Sequence, residues 1–565
     1  MKFCIHANGN IRHEAILKKH IEKRIPAEFG SEGLKIDLRM AETLKTPESY
    51  RISRRNGIYI IEGADERGLY YGIGKFLRTS VWSEDSMIPN PPKSVFSPDS
   101  AFRAIYFAVH FSNWYQNAPN EELETYVEEL LLYGYNTIVL ILPVVQVSSM
   151  EDRVMRDVVD HDRFLFRHAH GIGMKTGLIF CANQGFMNMP HRLDADLSYD
   201  SDGTHRGWLG RNVCISKEGG IPYMHAVWRG QLKQFSDIGI DTVIVWPYDE
   251  GGCNCEKCRP WGANGYLRAA KALSQDVKEF YPNAEFILST WLYDYPDDEG
   301  EFAGLYSELR SGYEFIDAIM CDSHTDFPSY PLTHEPVRPI VSFPEISMWK
   351  LFPWGGYGAN PMPERFETLF RQSKSAVSGG MPYSEGCYED ALKVQEIGYF
   401  WNQNASYRET LSEYAEYEFG AGTGEDAVRL MELIGRNHCR VGTGIGPDYG
   451  DALEAKSIAE KIDRTLTEKR KRSWRWRILY IRAILDEKRY ALYADHHLTE
   501  ENLTWLRKYA SVELDRDSEA LALLRELFDL YHAEAFNGNN RGTLPVIDGD
   551  LHLEKPIVSP IREPV

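Results

Sequence analysis

From Phe102 to Gln403 the sequence alternates short apolar runs with amphipathic stretches, and this alternation constrains the fold more than any other feature of the chain. Eight runs read as strands: Arg103 to His110, Thr137 to Pro143, Thr176 to Ala182, Thr242 to Pro247, Glu285 to Trp291, Phe315 to Asp322, Pro339 to Phe343 and Ala376 to Tyr383. Apolar runs of this length fit strands buried on both faces, as in a parallel sheet covered by helices. Eight of them with intervening helices over roughly 300 residues predict an α/β chain built on a (β/α)8 TIM barrel.

The flanks have a different pattern. Residues 1–98 combine a helix from about Ile11 to Arg24 with a hairpin signal at Asn56-Gly57, set between Tyr50-Arg51-Ile52 and Ile58-Tyr59-Ile60-Ile61. This predicts a small α/β domain, closed by the linker Pro89-Asn90-Pro91-Pro92. The barrel is expected over 99–404, with Phe186 to Gly220, rich in Gly, Asp and Asn, as a loop over its mouth. Over 405–565 the strand signal vanishes, which predicts a mainly helical domain to about Phe536 and an irregular tail with Pro545, Pro556, Pro560 and Pro564.

Composition excludes some functions. With 565 residues, 43% of them hydrophobic, the chain can bury several cores. A net charge of −20 argues against nucleic acid or an anionic membrane surface as partner. The basic run Lys469-Arg470-Lys471-Arg472 is the local exception and reads as a solvated helix face. The N-terminus Met1 to Asn8 lacks the features of an export signal, no apolar run has transmembrane length, and the nine cysteines are an odd count. A cytoplasmic protein is expected, with a homodimer through the C-terminal helices left open.

In such barrels chemistry gathers where the strands end. The run Val243-Ile244-Val245-Trp246 leads to two adjacent carboxylates, Asp249 and Glu250, followed by Gly251-Gly252. Other polar and aromatic candidates follow the remaining strands: His110, Asn113 and Trp114; Asn183; Trp291; Asp322 and His324; Glu345 and Trp349; Tyr383 and Glu385. Carboxylates among tryptophans suit carbohydrate, because a pyranose stacks its apolar face on an indole while its hydroxyls need charged acceptors. Cleaving a glycosidic bond takes a proton donor and a group that stabilises the oxocarbenium-like carbon. Crowding two carboxylates raises one pKa, so Glu250 is expected as the acid and Asp249 as its charged partner.

With these residues the chain resembles family 20 glycoside hydrolases, the β-N-acetylhexosaminidases, and relatives such as α-glucuronidases, in which a small α/β domain precedes the barrel. The segment Gly57 to Leu77 is similar to the end of that domain. Asp249 and Glu250 match the family dyad, whose first member orients the substrate's 2-acetamido group and whose second is the general acid/base. Gly379-Gly380-Met381-Pro382-Tyr383-Ser384-Glu385 is similar to a family motif whose glutamate binds sugar hydroxyls, and Trp291 sits where the family places a pocket tryptophan. The chain departs from the family in having Trp246-Pro247-Tyr248 before the dyad and Tyr383 in place of a tryptophan; Tyr293 is the weak match to the tyrosine that holds the acetamido carbonyl.

The resemblance implies an exo-acting glycoside hydrolase on imported or intracellular oligosaccharides, hexosaminidase-like and without a catalytic cofactor. Two alternatives stand beside it: an inverting, α-glucuronidase-like enzyme with Asp322, Glu345 or Glu385 as base, and a carbohydrate-binding relative without catalysis. Directly behind the dyad, Cys253, Cys255 and Cys258 place three thiols within six residues. That spacing suits a structural zinc site completed by a fourth ligand, with Cys214 the first candidate and Cys181 the second.

Overall fold

The computed structural model describes residues 1–109, 113–196, 211–248, 251–295, 298–323, 326–347, 359, 361–443, 448–494 and 518–530. Among them, eight parallel strands close into a barrel: Phe102–Phe107, Thr137–Ile141, Lys175–Cys181, Thr242–Trp246, Glu285–Ser289, Ala318–Ser323, Ile340–Pro344 and Val377–Gly380. Every run expected from the sequence overlaps one of them. The first strand closes the ring by pairing Ala104 with Thr137 of the second and Phe102 with Gly379 of the eighth. A short continuation, Tyr383–Ser384, pairs with the first strand again, Tyr383 opposite Tyr106.

Period-two alternation sorts the strand residues. Ala104, Tyr106, Val139, Ile141, Ile179, Ile244, Trp246, Ile287, Met320, Val341, Phe343, Met381 and Tyr383 form one buried cluster that fills the barrel. Their neighbours Ile105, Phe107, Ile138, Leu140, Leu178, Phe180, Val243, Val245 and Ile319 belong to a second cluster beneath the surrounding helices. The eighth strand needs glycine at 379, where φ is +147° and a Cβ would run into the carbonyl of Phe102.

Before the barrel lies a mixed sheet in which Leu34–Met40 pairs in parallel with Lys2–His6 and Ile58–Gly63, and Tyr50–Arg55 runs antiparallel to Ile58–Gly63. The hairpin turns at Asn56-Gly57, with φ of 50° and 81°, the two left-handed residues a tight turn requires. The expected first helix is Ile11–Glu22. A second, Glu66–Thr79, starts at Asp65, whose side chain accepts from the Gly68 N–H at 2.8 Å. It packs on the barrel helix Asn120–Tyr133. This domain is pinned to the barrel by Arg103, fully buried in the first strand, which pairs with Glu48 at 2.7 Å and donates to the Tyr71 hydroxyl at 3.0 Å.

After the eighth barrel helix, Asp390–Trp401, come Tyr407–Glu418, Gly424–Thr443, Tyr449–Thr465, Trp474–Ala494 and Ser518–Leu530. The basic run does more than coat a solvated face. Lys469 donates to the Arg24 carbonyl at 3.1 Å and Arg470 to the Trp82 carbonyl at 3.4 Å, joining the C-terminal helices to the N-terminal domain. Among the described residues no helix is long and apolar enough to cross a membrane.

Candidate active site at the barrel mouth

The inward alternation ends, at the C-terminal edge of the barrel, in a layer of rings. Trp246 meets Phe343 edge-on at 4.9 Å between centroids and Trp291 at 6.0 Å, while Tyr383 lies 5.3 Å from Tyr106 and 6.0 Å from Phe343. These residues form an aromatic floor. Trp291, just beyond the fifth strand, is half-buried on it; Tyr106, Trp246 and Phe343 escaped the sequence reading, although each stands two residues after an inward Ala104, Ile244 or Val341.

Above the floor the same alternation raises carboxylates. Asp322, Glu345 and Glu385 each follow an inward residue by two positions, after Met320, Phe343 and Tyr383 respectively. Glu345 and Glu385 are buried and Asp322 is partly exposed. Burial pushes the Glu385 carboxyl up to about 7; the charges of Glu389 and Glu345 add to the rise, and hydrogen bonds from Tyr383 and Tyr388 oppose it. The Tyr383 hydroxyl donates to Glu385 Oε1 at 2.6 Å and the Tyr388 hydroxyl to Oε2 at 3.1 Å.

Behind Glu385 stands a buried polar chain. Glu389 accepts from the Glu385 and Gly386 N–H groups at 2.9 and 3.2 Å, and from the Ser384 hydroxyl. Burial raises its pKa, against the pull of Lys393, whose ammonium lies 3.7 Å away. Lys393 donates to the hydroxyls of Tyr115 and Tyr126 at 2.8 and 2.7 Å and to the Gly386 carbonyl. Tyr126 in turn donates to Asp390 at 2.8 Å, and Asp390 pairs at 2.7 Å with Arg475 from the C-terminal helices. The mouth segment after the eighth strand is thus braced through the barrel wall to the helical region.

The segment after the fourth strand is held differently. Asn183, following the third strand and fully buried, donates to the carbonyls of Val213 and Gly252 at 2.9 and 2.8 Å and accepts from the Gly252 N–H at 2.8 Å. Beyond Gly252, the sulfurs of Cys214, Cys253, Cys255 and Cys258 all lie within 4.8 Å of one another. Cys181, the other candidate for that cluster, instead fills the barrel interior.

Asp249, Glu250, His110, His324 and Trp349 lie outside the described residues. Three of the expected substrate-binding residues make contacts within the protein. The Asn113 amide donates to the Ala108 carbonyl at 2.8 Å and accepts from the Tyr115 N–H at 3.0 Å, capping the short helix Trp114–Asn117. Trp114 is packed in the outer core, edge-on to Tyr126 at 5.1 Å, and Asn183 holds main chain as described. Tyr293 does so too: that side chain is buried and its hydroxyl donates to the Gly262 carbonyl at 2.6 Å. For Asn113, Asn183 and Tyr293 the reason is that loop backbone at strand ends has its own polar groups to satisfy, and nearby side chains satisfy them.

A cavity of about 560 Å³ lies at the other end of the barrel, lined among others by Tyr50, Lys75, Arg78, Asp99, Trp401 and Glu413. It is remote from the strand ends that carry the carboxylates.

No known family model matches the chain, and no curated protein matches it. Solved structures do. A family 89 glycoside hydrolase from Clostridium perfringens, captured with GlcNAc-α-1,4-galactose, superposes with a TM-score of 0.60 at 11% identity, covering 91% of this chain and 64% of that one. A GH115 4-O-methyl-α-glucuronidase with specificity for decorated arabinogalactans gives 0.58 at 10% identity, covering 93% and 75%. The chain shares their fold. A family 20 β-N-acetylglucosaminidase gives 0.49 at 12% identity, covering 74% and 92%, too slight a likeness to weigh for that family in particular.

Proposed function

We propose that the protein is a glycoside hydrolase whose active site is the C-terminal mouth of the barrel. The observation that carries this reading is the aromatic floor of Tyr106, Trp246, Trp291, Phe343 and Tyr383 beneath the inward carboxylates of Asp322, Glu345 and Glu385. An aromatic face for a sugar ring with acceptors around its hydroxyls is a carbohydrate site in chemical terms. The solved barrels that share the fold are named as glycosidases, which supports the reaction class.

Glu250 is assigned as the general acid, with Asp249 beside it orienting the substrate, because in the sequence this pair follows the fourth strand, which stands across the ring from the eighth strand. On this reading the enzyme is exo-acting and hexosaminidase-like, and its substrates are oligosaccharides made in or imported into the cell. Glu385 grips sugar hydroxyls from the opposite wall. A second reading is favoured by the pKa of about 7 at Glu385, which suits a proton-transfer group near neutrality. There Glu385, or its neighbour Glu345, activates water against Glu250 in an inverting, α-glucuronidase-like enzyme. A panel of nitrophenyl glycosides carrying N-acetylglucosamine, N-acetylgalactosamine, glucuronic acid and neutral sugars separates the two. Turnover confined to N-acetylated sugars is expected on the first reading and uronide turnover on the second; no turnover of any member, natural disaccharides included, contradicts both.

A further inference from the structure

We propose that Cys214, Cys253, Cys255 and Cys258 bind a structural zinc ion that clips the last part of the mouth insertion to the loop following Asp249-Glu250. The four sulfurs come from two places separated in sequence, yet all lie within 4.8 Å of one another. Four sulfurs at about 2.3 Å from a tetrahedral ion stand about 3.8 Å apart. The Cys214 and Cys255 sulfurs are 3.6 Å apart, near that value and far beyond the roughly 2.05 Å of a disulfide. Cys214, Cys253 and Cys258 are buried and Cys255 is partly exposed, so the cluster faces inward with one edge reachable by solvent.

The backbone is shaped to present these sulfurs. The N–H groups of Cys258 and Arg259 close a turn on the Cys255 carbonyl at 2.8 and 3.1 Å, and Lys217 closes another on the Cys214 carbonyl at 3.1 Å. Binding releases each thiol proton to solvent, leaving four thiolates whose charge exceeds that of the ion. Compensating donors are in place: the Ser216 hydroxyl lies 3.1 Å from the Cys258 sulfur and the Arg268 guanidinium 3.8 Å from it. Arg268 is itself fixed by the Ser216 hydroxyl at 2.9 Å and the Lys257 carbonyl at 2.7 Å. Ligands around a metal are commonly oriented by such partners.

The donor set decides the metal and the role. Thiolates select soft ions over magnesium, calcium and manganese, and four of them leave no open position for substrate or water. The ion therefore holds structure. What it holds is the chain immediately beyond Gly251-Gly252, which Asn183 grips from the other side. The proposal does not depend on what the mouth hydrolyses.

The full-length chain, purified under reducing conditions without added metal or a polyhistidine tag, tests it by elemental analysis. About one zinc per chain is expected, released to a chelating dye by about four equivalents of an organomercurial. Zinc-free protein with these thiols free, the same cysteines found as disulfides, or iron in place of zinc would each overturn it. Hydrogen exchange then tests the clip on the wild-type chain: stripping the metal should speed exchange in residues 211–216 and 251–258 by about tenfold or more while the barrel strands keep their protection. Equal exchange in both forms contradicts the bracing role. Cys255→His, which keeps a ligand atom, should retain zinc where Cys255→Ser loses it; equal zinc content in the two variants removes Cys255 from the site.

Discussion

Two walls of the barrel mouth carry the candidate chemistry, and they are built on opposite plans. Behind the eighth strand, Glu385 rests on a continuous buried chain of carboxylates, tyrosines and cations that ends at Arg475 in the C-terminal helices. Beyond the fourth strand, the chain after Asp249-Glu250 is held by the Asn183 amide, by the Asp196 carbonyl, which accepts from the Asn254 N–H at 2.7 Å, and by a cluster of four sulfurs with Ser216 and Arg268 beside it. One wall is braced by ion pairs and hydrogen bonds that run to the C-terminal helices, and the other by main-chain contacts and a cysteine cluster, the site proposed above for zinc. A barrel enzyme needs rigid scaffolding and adjustable loops together, and here the two demands fall on different walls.

Breaking the eighth-strand wall should have the largest effect on stability. Asp390→Ala takes one of the carboxylates from Arg475, leaving Glu129 paired with it among the described residues, and removes the acceptor of the Tyr126 and Tyr414 hydroxyls. Removing one partner of a buried pair costs about 3–5 kcal/mol. A fall of that size in unfolding free energy by denaturant titration is expected; an unchanged midpoint would show that the chain of contacts carries no strain-bearing load.

Asn183→Ala should do less to stability and more to the other wall. It leaves the buried N–H of Gly252 without its acceptor, a loss of about 1–3 kcal/mol. Because the slack appears next to Asp249-Glu250, kcat should fall while the unfolding midpoint moves only modestly. Loss of stability with kcat intact would show that Asn183 does not position the dyad.

A third effect is a slope against pH. Burial raises the Glu385 carboxyl from the ordinary glutamate range to about 7, so the folded chain holds a proton there that the unfolded chain gives up. Stability contributed by the neutral form is therefore present at low pH and lost as pH rises from about 4.5 to about 7. Glu396, raised to about 8 chiefly by burial, acts in the same direction over a wider range. Glu385→Gln should make the slope shallower between about pH 4.5 and 7 and leave the part due to Glu396, which runs on to about 8; an unaltered profile would place the titration elsewhere.

The sequence carried the architecture well, because strand runs such as Thr242 to Pro247 and the Asn56-Gly57 turn are local signals of period and backbone conformation. Cys214 was within reach for a similar reason, since three close thiols leave few candidates for a fourth. The aromatic floor was missed where inward rings such as Tyr106 and Phe343 sit inside strands rather than after them. The eighth-strand bracing was beyond reach: Lys393 and Tyr115 meet across 278 positions of sequence, and no local pattern announces such a pair. Asn113 and Asn183, expected at the ligand, hydrogen-bond main chain, a contact that no local sequence pattern announces.

The most direct test of the central claim compares wild-type protein with Glu250→Gln on the glycoside panel, using both activated and poor leaving groups. The wild type is expected to cleave at least one sugar class, and Glu250→Gln, with the same unfolding midpoint, to lose about 10²-fold or more on poor leaving groups and much less on activated ones. Equal rates for the two proteins on poor leaving groups would contradict it.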